Sequence, residues 1–186
     1  MDKDIEAALK VLQQGGTILY PTDTIWGIGC DATNEKSVKR VYEIKKRDDK
    51  EGMLVLLDSS DLLARYVEIP DIARELIEVA GNPLTIIYPE ARNLAAGLLA
   101  GDGSVGIRIV KDDFCRKLIQ QFKRPVVSTS ANISGAPAPQ IYAEISEEII
   151  NSVDYVVKYR QDDKTKARPS GIIKLGYKGE VRVIRE

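Results

Sequence analysis

The sequence predicts a single α/β domain. Helical and strand-like patterns mix from one end to the other, no internal repeat or low-complexity linker divides them, and 186 residues suit one ordinary domain. The expected unit is therefore residues 1–186 taken whole.

Ile5, Ala8, Leu9 and Leu12 recur at helical spacing, and Gly15-Gly16 stop that helix. Thr17-Ile18-Leu19-Tyr20 reads as a strand running into Pro21-Thr22-Asp23-Thr24, and a second extended segment, Ile25 to Cys30, passes through two glycines. Asn34 has the character of an N-cap, with Val38, Val41, Tyr42 and Ile44 forming the apolar side of a helix that ends near Lys46. Met53 to Leu57 is short and continuously apolar, the pattern of a central strand. Helical spacing returns at Ser60–Tyr66 and Asp71–Val79, and Leu84–Tyr88 is another strand. Ser104–Val110 is strand-like, Asp112–Phe122 helical and Pro125–Ser130 strand-like. A helix at Ala143–Asn151 and strands near Tyr155–Tyr159, Gly171–Leu175 and Val181–Ile184 complete the order. Between the first two of these strands, Gln161 to Pro169 is polar and charged. It reads either as a loop that closes over a ligand or as a solvated connection.

Composition narrows the function classes. A hydrophobic fraction of 44% over this length supports a core without disulfides or structural metals. The formal charge of -1 argues against a dedicated nucleic-acid binder, which carries a basic excess, but leaves room for a local basic cleft. Cys30 and Cys115 belong to no paired motif and read as small buried hydrophobes. The charged start, Met1-Asp2-Lys3-Asp4, does not resemble a signal segment, and no apolar run approaches the roughly 20 residues that span a bilayer. A cytoplasmic protein with no membrane partner is expected. Histidine is absent, which removes histidine triads, histidine bases and most transition-metal sites. Catalysis in this chain has to rest on positioning, cations and hydrogen bonds, with no metal site of its own.

Three segments place polar residues on one strand face. Period-two alternation sets Val105, Ile107 and Ile109 on one side and Ser104, Gly106 and Arg108 on the other. Ser128, Ser130 and Asn132 project together if the chain stays extended, and Thr22 and Thr24 alternate likewise. An arginine and several hydroxyls on one side of neighbouring strands make a cleft suited to a carboxylate or phosphates, and a solvated sheet face carries the same pattern. Lys45-Lys46-Arg47 ends a predicted helix, where cations complement the helix dipole. Lys45 and Arg47 would also neutralise a polyphosphate if both side chains leave the helix in one direction. The glycines at 27, 29, 101, 103, 106 and 135 fit neither a Walker loop nor a Rossmann fingerprint.

Together these fragments resemble a known family. Pro21-Thr22-Asp23-Thr24-Ile25-Trp26-Gly27-Ile28-Gly29 is similar to the YPT(D/E)TxYGLG signature, with Trp26 in place of tyrosine. Lys45-x-Arg47 and Ser130-x-Asn132 match paired KxR and SxN motifs, Gly106-Ile107-Arg108 a GxR strand, and Ser128 to Gly135 an STSANxSG segment. Pro83-Leu84-Thr85 retains the end of a WPGPLT block. In this order, from about Gly15 to Ser170, they resemble the YrdC family of threonylcarbamoyl-AMP synthases.

The resemblance implies a strongly twisted α/β domain whose mixed sheet lines an open cationic cleft. It implies synthesis of threonylcarbamoyl-AMP and pyrophosphate from L-threonine, bicarbonate and ATP, with Mg2+ carried by the nucleotide, for the threonylcarbamoyladenosine modification of tRNA. Thr24, Arg108 and Ser128 match threonine contacts. Lys45, Arg47, Ser104, Ser130, Asn132 and Ser170 match ATP contacts, with Ser134 and Ala138 in the same segment, and Lys45 and Arg47 are the implied catalytic cations. Hand-over of the product to a tRNA threonylcarbamoyl-transferase and contact with tRNA are further implications. The alternatives are a non-catalytic RNA-binding paralogue, against which the intact Ser130-x-Asn132 counts, and a carbamoyl-transfer module of larger proteins. Departures from the pattern are Ala80-Gly81-Asn82 before Pro83, Asp48-Asp49 after Arg47, and Gly171 after Pro169-Ser170. The histidine of some members and the extra C-terminal domain of longer ones are also missing from this sequence.

Overall fold

The structure, a computed structural model, describes residues 1–47, 52–177 and 180–186. The Asp48-Asp49 departure lies outside them.

Helix α1 (Asp2–Gln13) buries Ile5, Ala8 and Leu12 and packs on α4 (Asp113–Phe122). It is followed by β1 (Ile18–Tyr20) and β2 (Gly27–Gly29), an antiparallel pair joined by the Pro21–Trp26 turn. Asn34 caps α2 (Glu35–Lys45), its side chain accepting the amides of Lys36 and Ser37. Strands β3 (Leu54–Leu57), β4 (Leu84–Tyr88), β5 (Val105–Ile109) and β6 (Val126–Ser130) follow, with α3 (Asp71–Val79) between β3 and β4. Helix α5 (Glu147–Ser152), the two-residue β7 (Tyr155–Val156), β8 (Gly171–Leu175) and β9 (Val181–Arg185) complete the chain.

The strands form one mixed nine-stranded sheet in the order β7-β1-β2-β6-β3-β5-β4-β8-β9. The continuously apolar β3 stands in the middle, where both faces are covered, as its composition predicts. Register then aligns the polar residues of the sequence. Arg108 lies between Leu56 on β3 and Thr85 on β4, while Ser128 is opposite Leu54 and Ser130 opposite Gly27. Cys30 and Cys115 are free and buried.

Local structure departs from expectation in the weaker elements. Ser60–Arg65 forms a 3-10 helix, and a further 3-10 turn at Ala96–Leu98 was not anticipated. The helix expected over Ala143–Asn151 is split into a 3-10 turn at Tyr142–Glu144 and α5. Ser146 causes the break: its hydroxyl accepts the Ile149 amide as an N-cap, which requires extended backbone at that residue. No helix among the described residues is long and apolar enough to cross a membrane.

Candidate functional site

A cavity of about 260 Å3 opens where β5, β6 and β8 meet the turn after β1 and the end of α2. Thr24, Arg108 and Ser128 line it together. So do Arg47, Ser130, Ala138 and Ser170, so most of the residues singled out in the sequence share one space. The polar strand faces are therefore not solvated, as Arg108 is 2% and Ser128 7% exposed. Apolar Met53, Leu54 and Ile172 complete the lining beneath them.

Each side chain has a local cause for its place. Thr22 fixes the turn: its hydroxyl accepts the Thr24 amide at 3.0 Å and donates to the Ile25 carbonyl at 2.8 Å. The Thr22 and Thr24 hydroxyls lie 3.0 Å apart. Gly27 makes room for Ser128, since a Cβ there would stand 2.9 Å from the serine oxygen. Lys46, the C-cap of α2, turns the chain with φ 50°, which separates the directions of Lys45 and Arg47.

That separation decides what the two cations can do. Arg47 lines the cavity, with one guanidinium nitrogen 3.2 Å from the Gly52 carbonyl. Lys45 does not. Its buried Nζ donates to the carbonyls of Ser130 at 2.6 Å and Asn132 at 2.8 Å, and lies 3.5 Å from Asn132 Oδ1. The Lys45 carbonyl accepts the Ser134 amide at 2.8 Å, so the end of α2 clamps the segment after β6 twice. Burial, helped by neighbouring Arg47, pushes the Lys45 ammonium down to about 8.

Three other expected residues are not among those that line the cavity. Ser104 directs its hydroxyl to Asp102 at 2.5 Å, and that carboxyl is held well below its usual range by Lys174 and Ser104. Asn132 spends its amide on the carbonyls of Ile133 and Ala136. Ser134 is exposed and joined to Lys45 through its backbone.

Trp26 and Arg185 are among the lining residues that the sequence pattern does not mark as site residues. Trp26 was noted only as a departure from tyrosine, yet it lines the cavity and packs on Tyr142, ring centres 4.9 Å apart. Arg185, on the last strand, also lines the cavity and donates through Nε to the Ser170 carbonyl at 2.9 Å. Strict alternation groups Arg185 with Val181 and Val183. A register shift between Ile172 and Ile173 pairs Val183 with buried Ile173 but Arg185 with cavity-lining Ile172, and so turns the guanidinium inward. Burial and the charge of Arg108 lower the pKa of Arg185, which places the two guanidiniums within electrostatic reach.

Arg108 itself is paired. Its Nη2 lies 3.0 Å from Asp23 Oδ1, and both side chains are buried. Among the described residues, the buried Arg108 Nε and Nη2 make no hydrogen bond, and the Arg108 residue lines the cavity. No group of three or more Cys, Asp or Glu residues among those described is placed to hold a metal ion.

The Sua5/YciO/YrdC family model, described as telomere recombination, matches residues 10–186. The chain belongs to the Sua5/YciO/YrdC family. Among its relatives, the threonylcarbamoyl-AMP synthase of Pseudoalteromonas translucida is 33% identical over 82% of this chain and 84% of its own. A putative threonylcarbamoyl-AMP synthase of Methanocaldococcus jannaschii is 33% identical over 93% of this chain and 81% of its own. The crystal structure of P. abyssi Sua5 complexed with L-threonine matches with a TM-score of 0.87 at 26% identity. It covers all of this chain, which spans 54% of the P. abyssi chain. E. coli YciO has the same fold, with a TM-score of 0.86 at 21% identity over 100% of this chain and 90% of its own. The fold of this chain is thus matched over its whole length in both structures.

Proposed function

We propose that this member of the family is an L-threonylcarbamoyladenylate synthase, a nucleotidyltransferase that makes threonylcarbamoyl-AMP and pyrophosphate from L-threonine, bicarbonate and ATP. The observation that carries the reading is one cavity lined by Arg108, Ser128 and Thr24, and by Arg47, Ser130 and Ser170. Relatives named for this product cover most of the chain.

On this reading Arg108 binds the threonine carboxylate, with Thr24 and Ser128 around the rest of the amino acid. The threonine amine, once neutral, adds to CO2 derived from bicarbonate, and the resulting carbamate oxygen attacks the α-phosphorus while pyrophosphate leaves. Negative charge grows on the phosphates as that bond breaks, and Arg47 faces it, with Mg2+ arriving on the nucleotide. Ser130, Ala138 and Ser170 flank the nucleotide. Lys45 acts one step away, by holding Ser130 and Asn132. Ser104, Asn132 and Ser134, which stand outside the lining, support the nucleotide side through the segments they brace. Fixing carbamate and phosphate in line supplies much of the remaining acceleration. The site of action is the cytoplasm, where a tRNA threonylcarbamoyl-transferase receives the adenylate.

Incubation with ATP, Mg2+, bicarbonate and single amino acids, followed by mass analysis, tests this. Pyrophosphate and threonylcarbamoyl-AMP should form only when L-threonine and bicarbonate are both present. Turnover indifferent to threonine, or none under any condition, would sink the assignment and favour the non-catalytic RNA-binding reading.

A further inference from the structure

We propose that Asp23 is a positioning residue for the amino-acid substrate: it holds the Arg108 guanidinium in the orientation that receives the substrate carboxylate. The inference rests on the synthase reading of the cavity and adds to it a residue that does not itself line the cavity.

The ion pair is buried on both sides, with Arg108 at 2% and Asp23 at 8% side-chain exposure. Its Nη2–Oδ1 distance of 3.0 Å is short, yet its angles make no hydrogen bond. Asp23 therefore fixes where the guanidinium sits by charge, at a residue that lines the cavity. A guanidinium grips a carboxylate through two parallel donors, so small rotations of its plane matter to binding.

Asp23 is held in place by its flanks. The Pro21 carbonyl lies 3.4 Å from Cys115 Sγ, and the Thr22 carbonyl accepts from Arg160 at 3.1 Å. Arg160 also approaches Asp112 at 3.6 Å, so the turn is tied both to α4 and to the chain after β7. The Thr22 hydroxyl closes the turn from within. A carboxylate on a backbone fixed this way cannot follow a drifting arginine, and the arginine is oriented by it instead.

The pair has a second effect. Arg108 and Arg185 both line the cavity, and burial together with the charge of Arg108 lowers the pKa of Arg185. The Asp23 carboxylate offsets that repulsion at Arg108, which keeps the guanidinium at the wall when no substrate is bound.

The test is a double-substitution cycle on the intact chain, read as kcat/KM for L-threonine at saturating ATP and bicarbonate, with the ATP KM measured on the same proteins. Asp23→Asn in the native background should lower kcat/KM about tenfold, chiefly through the threonine KM, and leave the ATP KM within twofold. In an Arg108→Lys background, where no planar fork remains to be oriented, Asp23→Asn should cost less than about twofold. Asp23→Glu, which keeps the charge, should recover part of the loss and provides the folded variant if asparagine impairs folding. An equal loss in both backgrounds, an unchanged threonine KM, or tighter threonine binding in Asp23→Asn would overturn the proposal. Tighter binding would make Asp23 a competitor for Arg108. If the native chain shows no threonine-dependent pyrophosphate release, the synthase reading itself fails and this inference falls with it.

Discussion

The Lys45 ammonium donates to the Ser130 carbonyl at 2.6 Å, joining the last residue of α2 to the last residue of β6. Two motifs more than eighty residues apart in the chain, KxR and SxN, thus form one structural unit. Of the two KxR cations, the one that lines the cavity is Arg47, two residues on.

Lys45 and Arg47 should fail in different ways. Lys45→Met removes a buried donor and leaves the Ser130 and Asn132 carbonyls without it, so it should lower stability by about 1–3 kcal/mol and slow turnover together. Arg47→Ala should slow turnover at least about tenfold, about 1.4 kcal/mol in the barrier, with a much smaller change in melting. Thermal melts and pyrophosphate release on the same two variants check this. Equal melting shifts with activity kept would return both residues to a helix-end role.

Lys45 also has a pH signature. Its ammonium is pushed down to about 8 in the folded chain from an ordinary 10.5. Between these values the unfolded chain binds the lysine proton and the folded chain has released it, so stability from this group rises with pH across the window. Below about pH 8 both states are charged and the contribution is flat. Urea unfolding of the native chain and Lys45→Met from pH 7 to 10 should therefore show a stability difference that shifts in favour of the native chain as pH rises. A difference independent of pH would mean that the carbonyl acceptors keep the ammonium charged.

Arg108 should answer to shape as well as to charge. Arg108→Lys is expected to weaken L-threonine binding although the charge stays, and Arg108→Ala to weaken it by about tenfold or more, since hydrogen bonds to charged groups contribute roughly 1.5–3 kcal/mol. ATP affinity should fall less, and separate calorimetric titrations distinguish the two. Arg108→Ala also leaves Asp23 buried without a counter-charge, a loss of about 3–5 kcal/mol in stability. Adding Asp23→Asn to Arg108→Ala should raise melting again.

Arg185 should matter to the nucleotide more than to the amino acid, because its Nε holds the Ser170 carbonyl on that side of the cavity. Arg185→Ala is expected to raise the ATP KM about tenfold while the threonine KM stays within about threefold. Steady-state kinetics with each substrate varied in turn measure both. An unchanged ATP KM would assign Arg185 to the sheet edge alone.

The sequence by itself determined the class of fold and the nine strands, and it marked polar strand residues several of which share the cavity. Periodicity suffices for elements with strong one-sided burial, as in α4 with Phe114, Leu118 and Phe122, and an unbroken apolar run suffices for the largely buried β3. It failed where a local side-chain bond overrode the pattern, as when Ser146 divided one expected helix into two pieces. Which residues touch a ligand space was a tertiary matter. Alternation marked Arg108 as polar on an apolar strand, but only the turn before β2 brought Asp23 to 3.0 Å from it. The helix end marked Lys45 and Arg47 as equals. The left-handed Lys46 between them then sent one into backbone carbonyls and the other into the cavity. Arg185 was hidden for the same reason: a single bulge in the β8–β9 pairing reverses which face a side chain takes, and a bulge depends on the partner strand, which a linear pattern does not contain.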